Sequence, residues 1–95
     1  MIIEQIKLKN QTGIGIKLEL NNAPLLIIKV EKGYLMCGYL NINASSKVGD
    51  IAARVTGVKS FEDMLNAKVS ELSELAHKMG FKEGITGLEF LNSLD

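Results

Sequence analysis

The sequence predicts an α+β fold, a single domain over residues 1–95. We expect a four-stranded, mainly antiparallel sheet in the N-terminal half and about three helices in the C-terminal half, packed on one face of the sheet. Apolar residues of the first half recur with a period of two, which is typical of strands. In the second half they recur at helical spacing behind residues suited to helix caps. The 95 residues, of which 46% are hydrophobic, provide enough apolar material for one core.

Two alternating segments open the chain, Ile2–Leu8 and Ile14–Leu20, with a turn-type cluster at Asn10–Gly13 between them. Their period of two predicts strands with one buried face and one solvated face. The residues expected on the face that the helices cover are Ile6, Leu8, Ile16 and Leu18. Asn21–Pro24 ends the second strand as a turn, because proline has no N–H to donate to a ladder.

The next two segments, Leu25–Val30 and Tyr34–Leu40, are almost continuously apolar. Between them Glu31–Gly33 predicts a hairpin connection, with Gly33 at a position of positive φ. Strands that are apolar at both parities are typically covered on both faces. The sheet is therefore expected to bury more of its third and fourth strands than of its first two.

The first predicted helix is capped by Ser45 or Ser46 and ends at Gly57. Its apolar stripe is formed by Val48, Ile51, Ala52 and Val55. Asp50 and Arg54 are four residues apart on this helix, so they are expected to pair.

Two further helices are predicted from capping boxes at Ser60–Asp63 and Thr86–Glu89. The first opens the longest helix, about Phe61 to Met79, and the second opens a short helix. The apolar stripe of the short helix is Leu88, Leu91 and Leu94. His77 falls about 140° from the centre of the long helix's apolar stripe, so we expect it to face solvent.

Composition argues against several classes of protein. Eleven basic side chains balance eleven acidic ones, whereas binding to nucleic acid through phosphates needs a basic excess. The longest uncharged run, Gly33–Ser46, is too short and too polar at its end to span a bilayer. One cysteine allows no intrachain disulfide, and the N-terminus lacks a signal-peptide stretch, so the cytoplasm is expected. The sequence identifies no cofactor, and one His with one Cys does not make a dedicated zinc site.

Three segments are candidates for a site, each with a structural alternative. Cys37 is either a buried core thiol or a functional one, which would need a cationic neighbour that the adjacent sequence lacks. A polar-aromatic cluster surrounds the fourth strand and its exit, a common ligand position, but turn chemistry and edge packing explain its members as well: Tyr34, Tyr39, Asn41 and Asn43. Thr86 and Gly87 begin a helix whose free N–H groups could hold an anion or could simply be capped.

Several longer stretches are familiar, among them Lys32–Asn41, Val55–Leu65 and Gly84–Gly87. Together they resemble the YunC-like family, small bacterial and archaeal proteins of unknown function, over nearly the whole chain. The resemblance implies a compact α+β domain but supplies no activity. In that family the signature gathers on two segments, which here are Met36–Asn41 and Thr56–Val58. The resemblance therefore implies a shared site at these segments.

Two functions from different classes follow. The first is a homo-oligomeric module, regulatory or binding a small molecule, with its site near Met36–Asn41. Its candidate ligand-binding residues are Cys37, Tyr39, Asn41, Thr56, Gly57, Thr86 and Gly87. The alternative is a small enzyme with Cys37 as nucleophile or redox thiol, completed across a subunit interface. A third reading is an interaction protein without a ligand.

Self-association is expected because apolar residues at both parities of the third and fourth strands leave a strip that one helical layer does not cover. The side chains expected at that contact are Leu25, Ile27, Leu35 or Tyr39.

Overall fold

The computed structural model describes all residues from 1 to 95 and confirms the α+β class. One sheet of six strands runs in the order β1-β2-β3-β4-β5-β6. The strands are β1 Ile2–Lys7, β2 Thr12–Glu19, β3 Pro24–Lys29, β4 Tyr34–Met36, β5 Ala52–Arg54 and β6 Glu71–Leu72. Neighbours are antiparallel except β4 and β5, which are parallel. The sheet is therefore mixed, with two strands beyond the four predicted.

Four helices lie on both faces of the sheet, where about three on one face were predicted. They are α1 Ile42–Val48, α2 Phe61–Asn66, α3 Glu74–Lys78 and α4 Gly87–Asn92. Buried residues of α2, α3 and α4 belong to a main core cluster of 17 residues. α1 packs on the opposite face, where Ile42 joins Met36 and Ala52 in a small second cluster. We call the face with α1 the outer face and the other the core face.

The first predicted helix is wrong in both its start and its extent. Asn41 is the N-cap of α1, where its side chain accepts a hydrogen bond from the Asn43 N–H at 2.8 Å, and Gly49 is the C-cap. Ala52–Arg54 then forms a strand parallel to β4. A short apolar run at i, i+3, i+4 also fits a strand buried on both faces, and Ala52 and Ala53 are both fully buried.

The long helix predicted from Phe61 to Met79 is divided into α2, β6 and α3. Its predicted cap is confirmed, because the Ser60 side chain accepts from the Asp63 N–H at 3.0 Å. Ser73 lies between β6 and α3 and is the N-cap of α3. Its buried hydroxyl accepts from the Ala52 N–H at 3.0 Å and donates to the Asp50 carbonyl at 2.8 Å. Ser73 thereby ties the start of α3 to β5.

The predicted face of β2 is also wrong, although its period is right. Gly13 and Gly15 face the core, where a Cβ on Gly15 would lie 2.7 Å from the ring of Phe61. Ile6, opposite Gly13 in the ladder, is buried as expected. Ile16 and Leu18 therefore lie on the outer face, because the Phe61 ring occupies the space that a larger β2 side chain would need.

Two residues of the β3–β4 region differ from expectation. Gly33 does not have a positive φ. It is needed because a Cβ there would lie 2.3 Å from the Ile51 carbonyl oxygen. Leu35, predicted at a subunit contact, is fully buried on the core face, where its Cδ2 approaches Gly87 of α4. Leu35 is therefore excluded from any contact on the outer face.

None of the four helices has the length and apolarity that crossing a bilayer requires.

Candidate functional site

The segment that follows β4, Cys37–Asn41, is held by Arg54 of β5. The Arg54 Nε donates to the Leu40 carbonyl at 3.1 Å, and Nη2 donates to the Gly38 carbonyl at 2.9 Å. Nη1 forms an ion pair with Glu71 of β6. A planar guanidinium can make these bonds at once because its donors point in fixed directions. Arg54 therefore fixes the path of the segment between β4 and α1.

Asp50 and Arg54 do not pair, so that prediction is wrong. Asp50 accepts a hydrogen bond from the Tyr34 hydroxyl at 2.6 Å, and Ser45 of α1 lies 2.7 Å from the same hydroxyl. Burial raises the pKa of Tyr34 above its ordinary value of 10.0, and the bond to the Asp50 carboxylate raises that pKa further. This network joins β4 to the C-terminal end of α1.

Beside Tyr39 lies a cavity of about 280 Å³. Its lining residues are Ala23, Pro24, Cys37, Gly38, Tyr39, Gly57, Val58 and Lys59. The two segments that the resemblance singles out meet here, since both contribute residues to the lining. Val55, which immediately precedes the second segment, donates its N–H to the Met36 carbonyl at 2.9 Å. The lining is mainly apolar, and Lys59 is its one charged residue. We call this space the Tyr39 cavity.

A second, more polar cleft of about 320 Å³ lies on the other side of the segment. It is lined by Gly38, Tyr39, Leu40, Asn41, Ile42, Arg54 and Glu71. Tyr39 lines both spaces and is 51% exposed, so its ring stands at the boundary between an apolar cavity and a polar cleft. A phenol suits such a boundary because it has an apolar body and a polar tip.

Cys37 is buried as predicted, with 2% exposure. β4 ends at Met36, and the Cys37 thiol extends the pairing by accepting from the Leu26 N–H at 3.3 Å. The Cys37 N–H in turn donates to the Leu26 carbonyl at 3.1 Å. Cys37 thus lines the Tyr39 cavity as a residue, while its sulfur has a structural hydrogen bond of its own.

Asn41 and Thr56 also border the site. The Asn41 side chain caps α1, so its amide oxygen is already engaged. Thr56 is exposed, and its methyl group would lie 3.6 Å from a Cβ on Gly38, so it packs along the backbone of the segment. Gly57, which follows Thr56, lines the Tyr39 cavity.

Thr86 and Gly87 are not brought to this site. Thr86 completes a capping box with Glu89, as predicted: its hydroxyl accepts from the Glu89 N–H, and its N–H donates to the Glu89 carboxylate, both at 3.1 Å. The Gly87 N–H donates to the Ala67 carbonyl at 2.9 Å. The N–H groups expected to hold an anion are therefore used within the chain.

His77 faces solvent, as predicted, and its Nε2 lies 2.7 Å from a Glu83 carboxylate oxygen. The pKa of Glu83 is lowered, first by a hydrogen bond from its own backbone N–H and then by His77. No three His, Cys, Asp or Glu side chains come close enough together to hold a metal ion.

Sequence reasoning missed Arg54, Glu71 and Lys59. Arg54 is the only arginine in the chain, and that rarity was the available signal. Its partners lie 14 to 17 residues away and on other elements, so spacing along the sequence could not reveal them.

Comparison with known proteins gives three matches. A family model described as "Domain of unknown function (DUF1805)" matches residues 36–94. The chain is 28% identical over 90 residues to the uncharacterized protein YunC of Bacillus subtilis, covering 90% of this chain and 89% of that protein. It is similar to the crystal structure of a protein of unknown function, TA1206 from Thermoplasma acidophilum, with 48% identity and a TM-score of 0.93. That match covers 99% of this chain and 92% of the other.

Proposed function

This chain belongs to the DUF1805 family, as its resemblance to YunC-like proteins predicts, and we propose that it is a module that binds a small molecule in the Tyr39 cavity. The observation that carries the proposal is the meeting of Met36–Asn41 and Thr56–Val58 at one cavity of about 280 Å³. Small-molecule sites are typically concave and mainly apolar, with a few polar groups that fix the ligand's orientation.

The lining of the cavity favours a small carboxylic acid with an apolar body. Ala23, Pro24 and Val58 supply apolar surface to the lining. Two polar side chains also belong to the lining. Lys59 makes no ion pair within the chain. Tyr39 is half exposed, and its hydroxyl makes no hydrogen bond to any other residue of the chain. An ammonium and a phenol beside an apolar cavity are donors suited to a carboxylate.

Arg54 supports this site indirectly. Its bonds to the Gly38 and Leu40 carbonyls fix the backbone on either side of Tyr39. Because the backbone on both sides of Tyr39 is already fixed, Tyr39 loses less conformational entropy when a ligand binds, and this favours affinity. We therefore assign Arg54 a positioning role.

The enzyme alternative has less support. Cys37 is 2% exposed, and its sulfur already accepts a hydrogen bond from Leu26. A reactive thiolate needs access and a cationic or basic neighbour. The one histidine, His77, is bonded to Glu83 at the surface.

The proposal is tested with freshly purified chain and a panel of small aliphatic and aromatic carboxylic acids. A ligand that binds only the folded state raises the melting temperature, and the shift grows with the logarithm of the ligand concentration once that concentration exceeds Kd. We expect at least one acid to stabilise the wild type, and Lys59→Ala to abolish that effect. Lys82→Ala is the matched control, since Lys82 is exposed and lines neither the Tyr39 cavity nor the polar cleft.

Tyr39→Ala provides a second variant that leaves the charge of Lys59 in place. We expect it to weaken binding by removing the wall shared by the cavity and the cleft. Native mass spectrometry of the untreated protein shows directly whether a small molecule is retained. Absence of stabilisation by every acid, together with an empty native spectrum, would contradict the proposal, and so would equal stabilisation of Lys59→Ala and Lys82→Ala.

A further inference from the structure

α1 covers only part of the outer face, and β1 and β2 lie bare beside it. On the outer face, three apolar side chains of these strands are largely exposed. They are Ile3 at 63%, Ile14 at 50% and Leu18 at 41%. Such side chains scattered singly are ordinary on a soluble protein, but a contiguous set marks an interface.

The ladder register makes this set contiguous. Ile3 is opposite Ile16, Ile16 is opposite Ile27, and Ile27 is opposite Met36. Ile14 and Leu18 adjoin this row, because each lies two residues from Ile16 along β2 and therefore on the same face. Residues opposite one another in an antiparallel ladder share a face at about 5 Å. An apolar row thus crosses four strands and ends beneath α1.

The flank of α1 continues this surface. A groove of about 340 Å³ runs between the helix and the sheet, lined by Ile27, Tyr34, Met36, Leu40, Asn41, Ala44, Ser45 and Val48. Ala44 and Val48 are one turn apart and exposed, Val48 at 72%. α1 therefore presents apolar side chains toward the bare strands as well as toward its own sheet.

We propose that a second copy of this chain covers the outer face, with the partner's β1–β3 lying beside α1 in the same layer. A helix and a second sheet each pack about 10 Å above a sheet, so both fit into one layer. α1 already occupies that layer above β4 and β5. The partner's sheet can therefore fill only the part above β1, β2 and β3.

Symmetry then fixes the arrangement. A two-fold axis parallel to the strands places β2 over the partner's β2 and brings the partner's β1 against the flank of α1. An axis across the strands would drive the partner's β4 and β5 into α1. The first arrangement brings the partner's Ile3 against Ala44 and Val48 and makes each protomer fill the groove of the other.

The buried area suits a dissociable dimer. Three strands about 4.8 Å apart and about six residues long have a footprint of about 300 Å². With the flank of α1, the surface lies within the range of about 300–600 Å² typical of functional apolar patches. Two copies would bury on the order of 1,000 Å², the lower limit for specific association. We therefore expect a dissociation constant in the micromolar range.

Sedimentation of the full chain over about 1–300 μM tests this directly. We expect the mass to rise from 10.4 kDa toward twice that value. Ile3→Glu places a charge at the contact and should weaken association at least about tenfold. Leu88→Glu is the control, because Leu88 is an exposed leucine of α4, on the other face of the sheet.

Cross-linking tests the orientation of the two copies. In Ile14→Cys the new thiol should lie near its symmetry mate, whereas Cys37 is buried and does not compete. We expect a short bismaleimide to give covalent dimers of Ile14→Cys and none of Leu88→Cys. A monomer mass at every concentration overturns the proposal. So does a dimer that resists Ile3→Glu and fails to cross-link through position 14.

Discussion

Three side chains make hydrogen bonds to backbone groups that have no partner in the β-ladder. Cys37 accepts from the Leu26 N–H beyond the end of β4. Arg54 binds the carbonyls of Gly38 and Leu40. Ser73 accepts from the Ala52 N–H at the start of β5. Buried backbone groups without a partner are costly, so Cys37 and Ser73 protect the buried N–H groups of Leu26 and Ala52 from that cost. Arg54 instead fixes a segment that is partly exposed.

Replacing the buried thiol tests this role. Cys37→Ser should lower the free energy of unfolding by about 1–3 kcal/mol, because it puts a hydroxyl into an apolar environment without an evident acceptor for its proton. Urea denaturation gives the value, and Thr56→Ser, an exposed change in the same site, should alter it by less than about 0.5 kcal/mol. A Cys37→Ser variant as stable as the wild type would mean that the sulfur is accessible to solvent.

Tyr34 makes stability depend on alkaline pH. Burial and the Asp50 carboxylate raise the pKa of its phenol above 10.0 in the folded chain, whereas the unfolded chain has the ordinary value. Above about pH 10 the folded state therefore binds more protons, so this contribution to stability is complete below pH 10 and is lost as the pH rises through the folded pKa. Tyr34→Phe should show a shallower loss of stability between about pH 9 and pH 11, measured by urea denaturation at each pH. An unchanged slope would contradict this.

Local chemistry decides the elements that could be predicted from sequence. The caps at Ser60 and Thr86 were predicted correctly because a cap involves residues only three positions apart. β5 was missed because a short segment with apolar residues such as Ala52, Ala53 and Val55 fits a helix or a buried strand equally well. The face of β2 depends on Phe61, which is distant in sequence, so no pattern within β2 could indicate it.

The candidate site, too, could be predicted from sequence only where residues close together in the chain determine it. Cys37, Tyr39 and Gly57 were singled out and do line one cavity, but only the family resemblance pointed to Gly57. Thr86 and Gly87 were singled out by a loop pattern, but Thr86 belongs to a capping box and the Gly87 N–H donates to Ala67. Whether a helix start is free to bind depends on partners such as Ala67 that only the fold brings near.

The cap of α2 offers a test at the element scale. Ser60→Ala should lower the free energy of unfolding by about 1 kcal/mol, because the Asp63 N–H loses its acceptor. Ser60→Gly should cost only a few tenths of a kcal/mol, since glycine adopts the cap conformation readily. Thermal or urea denaturation of both variants measures the difference. Equal, negligible effects would show that the cap contributes nothing to α2.

The whole molecule is built around a central strand that carries the site at its end. β4 pairs with β3 on one side and with β5 on the other, and helices cover both of its faces. Cys37 follows β4 directly and belongs to the main core cluster. Exposure of its sulfur therefore requires the centre of the sheet to open, and a domain of this size typically opens in one cooperative step.

Thiol labelling in native buffer measures that opening. We expect the labelling rate of Cys37 in native buffer, divided by its rate in urea, to equal the unfolding equilibrium constant obtained from denaturation. For a small domain, that constant corresponds to a free energy of unfolding of about 5–15 kcal/mol. A ligand in the Tyr39 cavity should slow labelling further, by a factor of one plus the ratio of the free ligand concentration to its Kd. Labelling much faster than global unfolding, and insensitive to low urea concentrations, would instead show that the segment Cys37–Asn41 opens by itself. A thiol that reaches solvent in the folded chain would then favour the enzyme alternative over the binding module.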